Sequence, residues 1–329
     1  MRSRPVANCR RDPTWSLDQA VDLNLSGREH HRIYVHDRYA PGVTVLEIIQ
    51  RSAQFLAKRG VDSPRLQIEL LLAHVLQMPR LKLYLNFDRR LTANEVEQVR
   101  KLVKRRGQRE PLQHILGSTS FCGLEIAVNP NVLIPRPETE LLAERAWPFL
   151  NSRAAGGAPS GLDFGTGSGC LAIALAMKCP AAKIYALDVS PAALAVAREN
   201  AERHSVAERI QFFEGDGFSV LPANSRFDLI AANPPYIPSA AIGTLQPEVR
   251  DYDPRVALDG GEDGLDFFRR LAAEAAAHLN RGGRLMLEFG DDQGGALREL
   301  FAEHNWIVES IESDYTARAR ILIATAPSP

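Results

Sequence analysis

The sequence predicts a protein in two parts, a small bundle of helices followed by a doubly wound α/β domain with a mostly parallel sheet. The length of 329 residues exceeds one average domain. Apolar residues recur at helical spacing from Val43 to about Arg109, whereas short apolar runs alternate with amphipathic segments after Leu162. Such alternation places helices on both faces of a parallel sheet.

The composition is that of an ordinary globular protein, with 45% hydrophobic and 24% charged residues. The formal net charge of -1 argues against binding of nucleic acid by bulk electrostatics. Apolar runs such as Leu171–Met177 are too short to span a bilayer, so no membrane partner is expected. The four cysteines form no C-x-x-C pair, which predicts neither a metal site nor disulfides and favours the cytoplasm.

The chain divides into four segments by these patterns. Residues 1–42 carry scattered arginines and little apolar periodicity, and we expect a disordered extension without an assigned function. Residues 43–117 form the expected helical domain, residues 118–135 a connecting β-hairpin, and residues 136–329 the α/β domain. Within the hairpin, Phe121–Ile134 alternates in polarity, which predicts two strands joined by a turn at Asn129–Asn131.

Three amphipathic helices are predicted in the helical domain. The second starts at Ser63-Pro64, which suits an N-cap and a first-turn proline, and the third starts at Thr92, with Glu95 completing a capping box, and runs to Arg109. The predicted buried stripes of the first two helices are Val45, Ile48, Ile49, Ser52, Phe55 and Leu56, and Leu66, Leu70, Leu71, His74 and Val75. These stripes can be buried only against one another, which indicates a bundle.

The third helix ends in a cluster of basic residues. Their placement suits a helix C-terminus and a solvated face. Contact with RNA or an acidic protein is the alternative, which the lack of interleaved aromatic residues disfavours. The cluster comprises Arg100, Lys101, Lys104, Arg105, Arg106 and Arg109.

Seven strands and four helices are predicted in the α/β domain. The last two strands have no helix between them and should pair antiparallel at one end of the sheet. The strands are Leu162–Phe164, Lys183–Leu187, Ile210–Phe213, Phe227–Ala232, Arg284–Phe289, Trp306–Ile311 and Ile321–Thr325. The helices are Cys170–Lys178, Pro191–His204, Leu265–Leu279 and Gln293–His304.

A glycine-rich turn follows the first of these strands, from Asp163 to Gly169, and leads directly into a helix. Glycines there allow the backbone to approach a ligand closely, and Asp188, at the end of the next strand, can accept hydrogen bonds from ribose hydroxyls. Gly167–Ala172 also satisfies a loose dinucleotide pattern, so a nicotinamide cofactor is possible. The D-x-G-x-G-x-G spacing is instead similar to the first motif of class I S-adenosylmethionine methyltransferases, which we favour.

Two further polar motifs follow later strands. Asp216-Gly217-Phe218 comes after the third strand, where an acid and a neighbouring ring commonly bind adenine in methyltransferases of this class, although Asp216 could equally cap a turn. Asn233-Pro234-Pro235-Tyr236 comes after the fourth, buried strand. The Asn233 side-chain oxygen and the Pro234 carbonyl can accept hydrogen bonds from an amide or amine nitrogen, and Tyr236 offers a flat face for stacking.

With these motifs, the chain resembles the peptide chain release factor N(5)-glutamine methyltransferase family (PrmC/HemK). The resemblance covers about residues 43–325 and is most specific in Leu133–Glu140, Asp163–Gly169 and Asn233–Tyr236. Asp263-Gly264-Leu265 and Leu287–Gly290 also match. It implies the class I S-adenosylmethionine methyltransferase fold, a Rossmann-like seven-stranded sheet, preceded by a helical domain that helps dock the substrate.

The resemblance also implies the reaction and its site. The expected activity is methylation of the glutamine in the Gly-Gly-Gln motif of class I release factors, which are the expected partners. Asn233, Pro234 and Tyr236 are the expected catalytic residues, and Pro235 and Phe121 complete the substrate site. The residues expected to bind S-adenosylmethionine are Asp163, Gly165, Thr166, Gly167, Ser168, Gly169, Asp188, Asp216, Gly217, Phe218 and Asn233.

Two positions depart from the family pattern. Gly217 stands where many relatives carry tryptophan, so stacking on adenine depends on whether Phe218 substitutes. Ser118–Phe121 lacks the charged residues often seen before that phenylalanine. Either change would act on cofactor affinity.

Three other functions are considered. A sister family methylates a glutamine of ribosomal protein L3, and the Ile134–Glu140 string and the helical N-terminal domain favour the release factor over it. An adenine amino-methyltransferase would use the same Asn-Pro-Pro-Tyr chemistry, but the chain lacks a basic target-recognition domain, so no stable nucleic-acid partner is expected. A non-catalytic adaptor would not need the glycine turn, Asp188 and Asn233 together.

Overall fold

A computed structural model describes residues 42–326 of the chain. The expected extension, 1–42, therefore lies almost wholly outside the described residues. The chain separates into two compact units, one that ends at Arg109 and one that begins at Glu110. Among the described residues, no helix is long and apolar enough to cross a membrane.

Between residue 42 and Arg109, the described part of the first unit forms four helices: α1 (Val45–Lys58), α2 (Pro64–Val75), α3 (Arg80–Leu83) and α4 (Ala93–Gly107). Capping boxes start α1 at Thr44 and α4 at Thr92, which confirms the predicted start of α4. Pro64 occupies the first turn of α2 as predicted. Ser63, however, has a φ of 47° and makes no capping hydrogen bond through its side chain.

The predicted buried face of α2 was only partly right. Leu71 is buried, but Leu66 is 44% exposed, and Ile68 and Leu72 face the core instead. Glu69 lies on that buried face because Arg65, Arg80 and Tyr84 bind its carboxylate at 2.8 to 3.1 Å. Because Glu69 interrupts the apolar residues of this face, the sequence pattern did not reveal which face of α2 is buried.

The second unit begins with α5 (Leu112–Leu116) and a hairpin of β1 (Ser118–Phe121) and β2 (Leu124–Ala127). The predicted hairpin turn at Asn129–Asn131 was wrong, because the chain reverses at Cys122-Gly123. Both turn residues have positive φ, 50° and 77°, which is the turn geometry that suits a two-residue hairpin loop. Cys-Gly is not among the usual sequences of this turn, so the pattern gave no signal.

A seven-stranded sheet forms the centre of the second unit, in the order β5-β4-β3-β6-β7-β9-β8. The strands β3 to β7 are parallel, and β9 runs antiparallel between β7 and β8, which confirms the predicted class I fold with its antiparallel pair at one end. The strands are β3 (Ser160–Phe164), β4 (Lys183–Asp188), β5 (Ile210–Glu214), β6 (Phe227–Ala232), β7 (Leu279–Glu288), β8 (Ile307–Ser313) and β9 (Ala319–Thr325).

Helices cover both faces of this sheet, as the alternating pattern predicts. Neighbouring residues of β6 point to opposite faces, so Leu229 and Ala231 join one buried cluster, and Ile230 and Ala232 join the other. One cluster packs under α6, α7 and α8, and the other under α10 and α11. The helices that follow the hairpin are α6 (Pro137–Ser152), α7 (Cys170–Lys178), α8 (Pro191–Arg203), α9 (Pro247–Arg250), α10 (Asp266–Glu274) and α11 (Gly294–Glu303).

The largest boundary error concerns the predicted helix Leu265–Leu279. The α-helix ends at Glu274, a 3-10 turn covers Ala275–His278, and β7 already starts at Leu279. The alanine-rich sequence continues the helical pattern past this point, but pairing of Leu279 with Phe227 in the sheet overrides it.

Candidate active site

Polar motifs follow four adjacent parallel strands of the second unit. The strands β3, β4, β5 and β6 end at Phe164, Asp188, Glu214 and Ala232. Because parallel strands present their carboxyl ends at one edge of a sheet, the motifs that follow them share one crevice. This edge is where open α/β sheets bind their ligands.

The glycine-rich turn after β3 has the backbone shape that the sequence predicts. Gly167 has a φ of 54° and Gly169 a φ of 81°, which other residues rarely adopt. A Cβ atom at Gly167 would meet nothing within 4 Å, whereas one at Gly169 would lie 3.0 Å from Cβ of Ala197. Glycine at position 167 therefore leaves the backbone open to a ligand, and glycine at position 169 allows α7 to pack closely on α8.

The Asp163 side chain fixes the glycine-rich turn through hydrogen bonds. Its Oδ2 atom accepts hydrogen bonds from Thr166 Oγ1 at 2.7 Å and from the Ala172 backbone N–H at 3.1 Å. Asp163 is buried, and burial raises its pKa to about 7, against the effect of these two donors. The residue thus joins the glycine turn to the first turn of α7.

Asp188 is fixed at the end of β4 by the backbone around it. Its Oδ2 atom accepts a hydrogen bond from Gly167 N–H at 2.8 Å, and its Oδ1 atom accepts one from Ser190 N–H at 2.9 Å. The residue is half-buried and lines the crevice. Each carboxylate oxygen has a second lone pair, so the group can still accept from two hydroxyls of a ligand.

Two neighbouring cavities open along the crevice. The larger has a volume of about 270 Å³ and is lined by residues that include Gly165, Gly167, Leu187, Asp188, Val189, Ser190, Gly215, Asp216, Gly217, Asn233, Pro235 and Phe267. The smaller has about 50 Å³ and is lined by Leu133, Pro135, Arg136, Thr139, Asp163, Gly165, Thr166, Gly167, Ser168, Cys170, Leu171 and Asn233. Asn233 lines both cavities and so lies at their junction.

The segment around Asn233 is held rigidly. Asn233 Nδ2 donates a hydrogen bond to Thr139 Oγ1 at 2.9 Å. Beyond the two prolines, Ile237 exchanges backbone hydrogen bonds with Leu258 and Gly260 at 3.0 and 2.9 Å. A Cβ atom at Gly260 would lie 2.8 Å from the Pro235 carbonyl oxygen, so the two backbones pack closely there.

Four residues expected at the site line neither cavity. Pro234 is buried, and Tyr236 packs into the core cluster under α10 and α11. Phe121 is fully buried among the residues under α6 and α7. Phe218 is also buried, where its ring stacks on His278 with centroids 4.5 Å apart. The roles assigned to these four residues from sequence stay predictions.

Sequence reasoning missed a second set of residues at the crevice. Phe267 of α10 is half-buried and lines the larger cavity. Thr139 lines the smaller cavity and donates to Glu288 Oε2 at 2.6 Å. Thr139 and Glu288 fall within two of the family-like strings, Leu133–Glu140 and Leu287–Gly290, which was the available signal; Phe267 lies just after a third.

Arg136 links the smaller cavity to the segment that closes the larger one. It donates to Asp253 Oδ2 at 2.6 Å, and Pro254 and Val256 on the following residues line the larger cavity. Burial raises the pKa of Asp253 to about 6, while Arg136 opposes that rise. This ion pair is more buried than a typical surface pair and fixes the cavity wall.

Cys170 lines the smaller cavity but is not an activated nucleophile. Burial raises the pKa of its thiol, and the nearby Asp163 raises it further. Within residues 42–326, no group of three or more metal-ligating side chains is arranged to hold an ion.

Comparison with known proteins agrees with this geometry. The PrmC N-terminal domain model matches residues 47–117, and the methyltransferase small domain model matches residues 149–245. The release factor glutamine methyltransferase of Geobacter sulfurreducens is 47% identical over 259 residues, which cover 79% of this chain and 88% of that protein. The enzyme of the same name from Chlorobaculum tepidum is 45% identical over 262 residues, which cover 78% of this chain and 89% of that protein.

For a third relative, the match covers almost the whole of that protein. The release factor glutamine methyltransferase of Moorella thermoacetica is 38% identical over 283 residues, which cover 86% of this chain and 98% of that protein. The two family models match residues in both units of the chain. This chain belongs to the release factor glutamine methyltransferase family.

Proposed function

We propose that this protein transfers a methyl group from S-adenosylmethionine to the side-chain amide nitrogen of the glutamine in the Gly-Gly-Gln motif of class I release factors. The observation that carries the proposal is the position of Asn233 at the junction of two cavities. One cavity has the size and polar edge for a nucleoside, and the other adjoins the glycine turn. The names of the relatives support the choice of acceptor.

The crevice fits S-adenosylmethionine. Asp188 would accept the ribose hydroxyls, Asp216 and Gly217 would border the adenine, and the glycine turn with Asp163 and Thr166 would border the methionine part. Ser168 Oγ is buried beside the smaller cavity, and the Cys170 thiol is the one described side chain that interacts with it. A buried hydroxyl with so few polar neighbours suits a ligand with polar groups of its own.

The reaction requires the enzyme chiefly to orient the acceptor. An amide nitrogen is a weak nucleophile because its lone pair is delocalised into the carbonyl group. When the nitrogen attacks the methyl group, a C–N bond forms, the S–C bond breaks with its electrons left on sulfur, and the product nitrogen then loses a proton. Asn233 Oδ1 and the Pro234 carbonyl would hold the two N–H groups so that the lone pair points along the S–C axis, and such orientation contributes several kcal/mol.

We further propose that residues 43–117 dock the release factor, residues 118–135 connect, and residues 136–329 carry the chemistry. The helical family model at 47–117 supports this division. Phe121, Pro235 and Tyr236 would belong to the acceptor side of the site.

The proposal is tested by methyl incorporation from radiolabelled S-adenosylmethionine into three acceptors offered separately. These are a class I release factor, ribosomal protein L3, and an adenine-containing oligonucleotide. We expect label in the release factor alone. Preferential labelling of L3 or of the oligonucleotide would show that this molecule, and not the release factor, is the acceptor. Binding of S-adenosylmethionine without labelling of any acceptor would favour an adaptor.

A further inference from the structure

Three elements of the second unit meet in a chain of hydrogen bonds behind the crevice. Asn233, after β6, donates from Nδ2 to Thr139 Oγ1 at 2.9 Å, and Thr139, in the first turn of α6, donates from Oγ1 to Glu288 Oε2 at 2.6 Å. Thr139 is 4% exposed and Glu288, at the end of β7, is 1% exposed.

The direction of these bonds follows from a count of hydrogens. A threonine hydroxyl carries one hydrogen, and an ionised carboxylate can only accept. The hydrogen of Thr139 is therefore committed to Glu288, and Thr139 can offer only a lone pair to Asn233. Since a lone pair requires a donor, Asn233 must present Nδ2 to Thr139, which leaves its Oδ1 atom for the cavities that it lines.

A proton on Oε2 of Glu288, the oxygen that faces Thr139, reverses this order. A protonated carboxyl can donate to Thr139, whose own hydrogen can then be donated to Asn233 Oδ1. The side-chain amide of Asn233 would turn over and present its NH₂ group to the cavities. An NH₂ group cannot accept a hydrogen bond from an acceptor amide, so the site would have the wrong polarity.

We propose that Thr139 and Glu288 are positioning residues that fix the Asn233 side chain with its oxygen toward the acceptor nitrogen. The inference rests on the proposed function, since it assigns a reason for the polarity of that site. It also gives a reason for amide specificity. A fixed oxygen at Asn233 accepts from the N–H₂ of glutamine but repels the carboxylate of glutamate.

The groups around Glu288 set its pKa within the pH range in which the enzyme can be assayed. Burial raises its pKa to about 7 and Glu138 of α6 adds to the rise, whereas Thr139, Arg320 of β9 and Tyr236 oppose it. A carboxyl with a raised pKa is ionised only above that pKa. We therefore expect kcat to rise with pH through about 7, as the polarity that favours transfer becomes dominant.

The test compares Glu288→Gln, Thr139→Val and Thr139→Ser with the wild-type full-length protein. The measurements are kcat and KM for a class I release factor, the pH profile of kcat, and the Kd of S-adenosylmethionine. We expect Thr139→Val to lower kcat by about 100-fold, as the loss of one preorganised polar contact does. Glu288→Gln should lower kcat by a smaller factor, because its amide can turn either its oxygen or its NH₂ group toward Thr139. Thr139→Ser keeps the hydroxyl and should retain most of kcat, and the Kd should stay unchanged in all three.

Glu138→Gln is the matched control, since it removes a carboxylate from the same helix without breaking the chain of bonds. Because Glu138 raises the pKa of Glu288, this variant should keep kcat on its plateau and move the acidic limb to lower pH. Glu288→Gln should remove that limb altogether. A shifted acidic limb in Glu138→Gln and a missing limb in Glu288→Gln would show that Glu288 itself titrates. A general effect of removing one negative charge would change both variants in the same way.

Two results would overturn the positioning role. The first is a Glu288→Gln variant that keeps the wild-type kcat and the acidic limb of its pH profile. The second is an equal loss of kcat in Thr139→Ser and Thr139→Val. If Glu288→Gln fails to bind S-adenosylmethionine, the two threonine variants decide the matter. A wild-type enzyme that methylates no release factor refutes the proposed function and this role together, whereas an active wild type with unaffected variants refutes the role alone.

Discussion

Arg270 occupies the space that any side chain at position 217 would need. A Cβ atom at Gly217 would overlap the Arg270 guanidinium, and the φ of 82° at Gly217 is itself unfavourable for other residues. Arg270 also donates to the carboxylate of Asp216 and, at 2.9 Å, to its carbonyl oxygen. A residue of α10 therefore shapes the loop that borders the larger cavity.

Arg270→Ala should weaken cofactor binding by releasing the Asp216 loop. The guanidinium makes two hydrogen bonds to one residue, so its removal leaves that loop free to move. We expect a Kd for S-adenosylmethionine raised by about 10-fold, as 1.4 kcal/mol would give, in isothermal titration calorimetry. Arg298→Ala, which removes an exposed arginine from α11, is the control, and an equal Kd in both variants would refute the role.

Phe267 should supply the apolar wall for the adenine in place of a ring at position 217 or 218. It lines the larger cavity, whereas Phe218 is buried against His278. Phe267→Ala should therefore raise the Kd of S-adenosylmethionine about 10-fold or more, since a stacked ring contributes about 1 to 3 kcal/mol. Phe218→Leu should instead lower the denaturant midpoint and leave the Kd nearly unchanged; the reverse pattern would contradict this assignment.

Asp188→Ala should weaken the cofactor through two effects. The variant loses the ribose acceptor and also the hydrogen bond that holds Gly167 N–H. Calorimetry with S-adenosylmethionine and with its 2′-deoxy analogue separates these effects. We expect the wild type to prefer the ribose form and Asp188→Ala to lose most of that preference; a preference that persists would refute the ribose assignment.

Asp163→Asn should flatten the pH dependence of stability. The folded protein raises the pKa of Asp163 to about 7, so the folded state binds the proton more tightly than the unfolded chain. This contribution to the free energy of unfolding is complete below the unfolded pKa of about 4 and is lost as the pH rises through about 7.

Urea unfolding of the wild type and Asp163→Asn at about pH 5 and about pH 8 tests this sign. The wild type should lose more stability than the variant between the two values. Glu288 and Asp253, whose pKa values are also raised, should leave a residual slope in Asp163→Asn. Identical slopes in the two proteins would show that Asp163 does not titrate in this range.

Much of the fold and the crevice was predictable because strand order and edge position follow from local patterns. Asp163–Gly169, Asp188 and Asn233 each follow an apolar run, and the carboxyl ends of parallel strands must meet. The antiparallel β8 and β9 followed from the missing helix between them. These inferences need only neighbouring residues and the rules of parallel sheets.

The remaining features depend on contacts between distant residues, which periodicity does not report. Thr139 and Glu288 are 149 positions apart and meet only because α6 packs beside β7. The burial of Glu69 depends on Arg80 and Tyr84, which bind its carboxylate. In each case, residues far away in the sequence determine whether the side chain is buried and what it binds.

Peptide-mapping mass spectrometry of a class I release factor, after reaction with S-adenosylmethionine and this enzyme, tests the proposed reaction most directly. Wild-type enzyme and Asn233→Ala are compared under the same conditions. We expect one added methyl group on the Gly-Gly-Gln glutamine with the wild type, and a rate at least about 100-fold lower with the variant. An unmodified glutamine, or equal modification by both enzymes, would contradict it.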